Sequence, residues 1–316
     1  MSTSTVSRVL DERLPRSNSA AAQRVREAAE RMGYIRDLHA SQLRRSGTDT
    51  IGVIVPRLTD PTMAILFEEI SAACRDRGLF AVVATTHDDA HTERVAINTL
   101  RQRRVDGLIL TTARLPSGNE RTPKPALPYV LALRTDGVGP ASVGDDRLGG
   151  RLATRHLIDL GHRRIGLIAG PTHASSAQGR LAGYRQALLD AGIDDDDTLI
   201  AGRSYSLEAG EQAGHQLLAL PDRPTAIFAT NDNTAIGVMA AAHTLGLRIP
   251  DDLSLVGYND IPIVRRLPVP LTTVRVPLRE IAYNAVRLLL DNTDDEPATL
   301  VVPPTLIPRR SAAMYR

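Results

Sequence analysis

The sequence predicts an α/β protein, with a short helical N-terminal piece followed by two doubly wound parallel subdomains. Three observations predict it. From residue 50 onward, apolar β-rich runs alternate with amphipathic helical stretches, the pattern of a parallel sheet covered by helices on both faces. That alternating body is about 265 residues long, more than one such sheet needs, so two similar subdomains with a ligand cleft between them are expected. The first 47 residues carry nine arginines against five acids, while the remainder nets −2. A basic end on a mildly acidic body points to an anionic partner at that end, or to a solvated helix face.

The elements follow in order. Residues 2–10 read as a helix, with Ser2 or Ser4 as cap and Val6, Val9 and Leu10 on one face. Residues 20–33 read as a second helix, capped by Ser17 or Ser19 and stopped by Gly33. Residues 38–46 suggest one short helix before Gly47. Strands are expected at 50–56, 79–85, 105–111, 129–133, 164–170, 225–231, 253–259 and 299–307. Helices are expected at 62–78, 91–103, 146–161, 177–191, 232–246 and 277–291.

Composition narrows the class. The chain has 316 residues, 42% of them hydrophobic, so a sizeable core is within reach. No run approaches the roughly 18 apolar residues of a membrane span, and the polar start has no secretory h-region. A single cysteine, Cys74, excludes an internal disulfide and a multi-cysteine metal site. A cytoplasmic chain without cofactor or metal is therefore expected. G-x-S-x-G, P-loop, H-E-x-x-H and dinucleotide glycine motifs are missing from the sequence, which argues against an enzyme. The acidic run Asp194–Asp197 follows Gly192 and reads as a solvated connector.

Several motifs then occur in one order: S-T-S-T-V-S-R-V-L, R-M-G-Y-I-R-D-L-H-A-S-Q-L-R-R-S-G-T, V-D-G-L-I-L, H-L-I-D-L-G-H-R-R-I-G-L-I-A-G-P, F-A-T-N-D-N-T-A-I-G, L-S-L-V-G-Y-N-D-I-P and P-L-T-T-V-R-V-P. With them the whole chain resembles the LacI/GalR family of bacterial transcription regulators. The resemblance implies an N-terminal partial helix-turn-helix over 1–37 and a hinge helix over 38–47. A periplasmic-binding-protein-like core would follow, with 50–144 and 277–296 in its N-subdomain and 145–276 and 297–316 in its C-subdomain. Three connections would cross between the subdomains, and the last strand would return to the second. The implied function is a ligand-responsive DNA-binding regulator, a repressor of a catabolic operon acting as a homodimer on double-stranded operator DNA. Its effector would be a sugar or related metabolite. The family places another helix before the recognition helix, whereas this sequence starts inside the turn. Either translation starts upstream, or the chain is a small-molecule-binding protein with a truncated head.

The resemblance also assigns residues. Thr3, Ser4 and Arg8 match base-reading positions, and Ser2, Thr5 and Ser7 offer hydroxyls to phosphates. Leu43 matches a leucine wedged into the minor groove, Ala40 permits close approach of the partner hinge, and Arg44 meets phosphate. In the cleft, Arg180 matches the ligand-binding arginine, and Asn231 stands at a strand end with Asp232 capping the next helix. Asn259 replaces a common aspartate, which tilts the pocket toward a less hydroxyl-rich or more anionic ligand. Asp146 either binds or caps its helix. Thr62 and Met63 replace aromatics in the Asp60-Pro61-Thr62-Met63 segment, and Tyr205 is a candidate aromatic wall.

Overall fold

A computed structural model describes residues 3–10, 15–32, 47–116, 125–291 and 298–315. The chain divides into two compact units, Met1–Thr48 and Asp49–Arg316. In the first unit, α1 spans Thr3–Val9 and α2 spans Ala20–Arg31. Of the two serines offered as caps for α2, Ser19 takes the role: its side chain accepts from the Ala22 amide, satisfying one of the helix's orphan donors. The expected stop at Gly33 and the short helix over 38–46 lie outside the described residues.

The second unit contains two six-stranded sheets. The first is built from β1 (Thr50–Val55), β2 (Phe80–Thr85), β3 (Gly107–Leu110), β4 (Tyr129–Ala132), β5 (Ala141–Gly144) and β11 (Thr299–Val302). Its order is β11-β5-β4-β3-β1-β2, and every pairing is parallel. Helices α3 (Pro61–Asp76) and α9 (Leu278–Asp291) pack on one face and α4 (Ala90–Gln102) on the other. Alternation along β1 explains this: Ile51, Val53 and Val55 join the core under α3 and α9, while Ile54 faces the core under α4.

The second sheet is built from β6 (Ile165–Ile168), β7 (Ile200–Ala201), β8 (Ala226–Ala229), β9 (Ser254–Asn259), β10 (Thr272–Arg275) and β12 (Thr305–Ile307). Its order is β12-β10-β9-β8-β6-β7, with β12 antiparallel to β10. Helices α5 (Asp146–Asp159) and α6 (Ser175–Asp190) form one closely packed pair, and α7 (Leu207–Leu218) and α8 (Asp232–Thr244) form another. The α/β fold with two doubly wound subdomains thus stands as the sequence predicts.

One expectation changes. The run 299–307, anticipated as a single strand returning to the second subdomain, is two strands in two sheets. Thr299–Val302 extends the first sheet beside β5, and only Thr305–Ile307 reaches the second. Pro303 and Pro304 lie between them, and neither has an amide hydrogen to continue a ladder. The lobes are joined three times, at Gly144–Asp146, Arg275–Leu278 and Val302–Thr305.

The sequence pattern does not announce β5, β7, α7 or β10. The α7 segment LEAGEQAGHQLL has two glycines that weaken helix propensity. Gly210 is needed because a side chain there would run into the Thr234 backbone of α8, so tertiary packing overrides local preference.

Candidate functional site

The parallel strands of both sheets point their carboxyl ends at one cleft, where an α/β protein gathers its binding loops. The cleft encloses a cavity of about 460 Å³. From the first lobe come the loop after β1 and the start of α3 (Arg57, Asp60, Thr62, Met63), with Asp88, Thr111 and Arg134 after the next strands. The second lobe supplies Ser176 and Arg180 on α6, Tyr205 and Glu208 at the start of α7, Asn231 and Asn233 at the start of α8, and Asn259 and Ile261 after β9. Six predicted residues, Thr62, Met63, Arg180, Tyr205, Asn231 and Asn259, are thus brought together.

Asp146 departs from its expected place. It is not among the residues lining the cavity, and it does not cap its helix. Asp145 is the cap of α5, accepting from the Leu148 amide at 2.9 Å. Asp146 instead accepts from Arg180 Nε at 2.8 Å and from the Tyr258 hydroxyl at 3.2 Å. The Arg180 guanidinium lies 3.8 Å from the Tyr258 ring centre and donates to the Thr230 carbonyl. Gly150 makes this possible: any side chain there would strike the Arg180 backbone. Burial pushes the Asp146 carboxyl up, and the Arg180 guanidinium opposes that rise. Burial also works against the Arg180 cation, but Asp146 and the two tyrosines outweigh it and keep it protonated.

The Asn-Asp pair at the start of α8 reverses its expected roles. Asn231 is the cap, with Oδ1 accepting from the Thr234 amide at 2.9 Å and hydroxyl at 2.7 Å. Its Nδ2 donates to the Tyr205 carbonyl at 2.9 Å, which fixes the Tyr205 loop. Asp232, read from sequence as the cap, is buried and accepts from Thr273 Oγ1 at 2.7 Å and the Ile261 amide at 2.8 Å. The reason is direction. An N-cap carboxylate must turn back onto its own helix, whereas the Asp232 side chain faces β9 and β10. Burial pushes its carboxyl up to about 7.

Tyr205 hydrogen-bonds Ser176 Oγ at 3.1 Å and has the guanidinium groups of Arg134 and Arg180 within 6 Å of its ring centre. Among the described residues, three hydrogen bonds between side chains cross the cleft. Asn259 Nδ2 donates to Thr62 Oγ1 at 3.0 Å, and Asn233 Nδ2 donates to Asp60 Oδ1 at 3.2 Å. His173 Nε2 lies 3.2 Å from Asp88 Oδ2. Asp88 also accepts from Arg134 Nη1 at 3.0 Å. Burial would raise the Asp88 carboxyl, but Arg134 and His173 outweigh it and hold it below the usual range.

Asp88, Thr111, Arg134, His173 and Asn233 are cleft residues that sequence reasoning missed. Their signal is positional: Thr111 ends a strand predicted from sequence, and Asp88, Arg134, His173 and Asn233 each follow one within three residues. Asp88 sits at φ 59° directly after His87 at φ 53°, a sharp left-handed turn that aims its carboxylate inward.

Of the predicted DNA-contacting residues, Thr3, Ser4, Thr5, Ser7 and Arg8 fall on α1, where Thr5 and Arg8 are exposed. Ser2, Ala40, Leu43 and Arg44 lie outside the described residues. The acidic run is tied up in local pairing: Asp195 and Asp197 meet Arg185, and Asp196 meets Arg164. Among the described residues, no helix is long and apolar enough to cross a membrane.

Two α/β lobes joined by three crossings and closing on a polar cavity define a small-molecule sensor core. Comparison with known proteins agrees. Residues 154–312 match the family model described as a periplasmic binding protein-like domain. The chain is 34% identical over 319 residues to the ribose operon repressor of Escherichia coli (strain K12), covering 99% of this chain and 96% of that protein. It superposes on the Lac repressor bound to ONPG in its repressed state with a TM-score of 0.84 at 26% identity, covering 99% of this chain and 96% of that one. A LacI family transcriptional regulator from Enterococcus faecium with bound ribose gives a TM-score of 0.74 at 29% identity, covering 84% and 100%. The chain belongs to the LacI family of transcriptional regulators and is a ligand-responsive transcriptional repressor.

Proposed function

We propose that the protein is a cytoplasmic homodimer that represses a catabolic operon, its operator affinity set by a small effector, a sugar or related metabolite, held in the cleft. The observation that carries this reading is the cavity itself: polar groups from both lobes converge on it, so a bound molecule would link lobe closure to DNA affinity. Arg180, Asn259, Thr62 and Tyr205 are the effector contacts in this reading, with Asp146 and Asn231 positioning Arg180 and Tyr205. The relatives named for ribose or carrying it make D-ribose the first effector to try. No covalent step is required of the cleft.

On the DNA side, Thr3, Ser4 and Arg8 read base edges, with Arg8 paired to a guanine. Ser2, Thr5, Ser7 and Arg44 hold phosphates, and Ala40 and Leu43 act in the minor groove. The test is footprinting of the protein, expressed from its native locus, on fragments of its own genome. A twofold-symmetric protected site that is released or strengthened by a small metabolite is expected. Loss of discrimination between that site and random DNA in Arg8→Ala would assign the base reader. Absence of any sequence-specific protection would overturn the reading.

A further inference from the structure

The three lobe crossings lie at one end of the two sheets, at β5 and β11 in the first and at β10 and β12 in the second. Parting the lobes about such crossings moves the far ends of the sheets most. Away from the crossings, the second lobe reaches over the cleft with one segment, 173–175, between β6 and the first residue of α6. Three hydrogen bonds hold this segment to the first lobe. The His173 carbonyl accepts from the Leu115 amide at 2.9 Å, and Ser175 Oγ accepts from the Thr135 amide at 2.8 Å. His173 Nε2 lies 3.2 Å from Asp88 Oδ2. Asp88 follows β2, the strand at the far end of its sheet, so the segment grips the first lobe where leverage is greatest.

Of these three contacts, only the imidazole contact changes with a proton. Asp88 is already engaged: Arg134 Nη1 donates to it at 3.0 Å, and Arg114 Nη2 lies 3.5 Å from its carboxylate. Arg114 also donates to the Asp88 carbonyl. Glu93 on α4 faces the same two arginines and Asp88. Two carboxylates and two guanidinium groups thus balance before His173 is counted. A neutral imidazole with its hydrogen on Nε2 donates to Asp88 at no cost in charge. An imidazolium would be a third cation against two carboxylates, on a ring only 34% exposed. Burial lowers the His173 pKa from its ordinary 6.5, and Arg114 and Arg134 add to that against the pull of Asp88. When the lobes part, the ring returns to water and takes a proton more readily.

We propose that segment 173–175 is a latch holding the lobes together and that protonation of His173 releases it, so that acidification opens the cleft without any effector. The sign is opposite to that of an isolated histidine–carboxylate ion pair, because this carboxylate is shared with two arginines. The latch goes beyond the effector reading and does not depend on what the cleft binds.

The test is the distance between two spin labels on the full chain, one per lobe, without effector or DNA. The labels sit at Asn98→Cys on α4 and Gln216→Cys on α7, both exposed positions, while the native Cys74 is buried. Labelled chain is diluted into unlabelled chain, so that each distance lies within one protomer. Between about pH 7.5 and pH 5.5 the ratio of open to closed molecules should rise, by up to about tenfold. His173→Gln, whose amide donates to Asp88 but takes no proton, should stay closed at both pH values. His173→Lys, a cation at both, should stay open at both. An unchanged distance distribution in the native chain overturns the proposal, as does a shift toward closure on acidification. An equal shift in His173→Gln also overturns it, by assigning the effect to another group such as Glu93 or Asp232. Absence of operator binding would remove the regulator reading and leave the latch standing.

Discussion

The two walls of the cleft are built differently. On the second lobe, Arg180, Asp146, Tyr258, Asn231 and Asp232 find their partners within that same lobe. On the first lobe, Asp60, Thr62 and Asp88 take a partner from across the cleft, respectively Asn233, Asn259 and His173. That set of Arg180, Asp146, Asn231 and Asp232 is therefore satisfied whether the cleft is open or closed, whereas Asn233, Asn259 and His173 on the same lobe depend on first-lobe partners. The first wall must exchange those partners for water or ligand when the lobes part. A preformed cluster beside contacts that exchange partners is what a sensor needs, because binding then reports on closure.

Substitutions can break or sharpen that comparison. The largest effect is expected at Asp146→Ala, which strands the buried Arg180 cation. It should cost about 3–5 kcal/mol in denaturant unfolding, and a loss below about 1 kcal/mol would mean that the pair does not organise this wall.

Next is the pH dependence of Asp232. Its carboxyl is pushed up to about 7 in the folded chain from 3.8, so the folded state binds the proton more tightly than the unfolded one. Its contribution to stability is therefore fully present below pH 3.8 and lost as pH rises through 7. Between pH 5 and 8 the loss should be on the order of 2–3 kcal/mol. Asp232→Asn should flatten that slope, and an equally steep slope in the variant would assign it to another group.

Asn231→Ala removes the cap of α8 and the tether to Tyr205. A cost of about 1–2 kcal/mol is expected by thermal or denaturant unfolding. The smallest effect belongs to the first wall. His173→Ala removes a contact to Asp88 that carries charge only when the imidazole is protonated, and burial lowers the His173 pKa. Its cost should stay under about 1 kcal/mol and should shrink further in a cleft held open. A cost rivalling that of Asp146→Ala would erase the distinction between the walls.

How much the sequence disclosed varies by level. Fully buried parallel strands such as GVIV and AIFA appear as continuous apolar runs, so β1 and β8 are visible from residues alone. Short elements defined by their neighbours are not: β5 (ASVG) is a strand because β4 and β11 flank it. The α7 helix tolerates its glycines because α8 needs the space. Thr62, Met63, Arg180, Tyr205, Asn231 and Asn259 came to attention through motif position, but the chemistry of each was only partly visible. Which carboxylate faces Arg180, and which side chain caps α8, depends on side-chain direction, and that follows from packing.

By itself the sequence determined the class: periodicity set the alternating α/β body, and ordered motifs set the family. These are local or sequential properties, carried by the order of apolar and polar residues. The tertiary structure alone decided the partners. Asp146 meets Arg180 across 34 positions, and Asn259 meets Thr62 across 197. The splitting of 299–307 between two sheets was decided there as well. Such contacts depend on where each chain segment lands once the sheets and helices have packed, and no short window of residues contains that information.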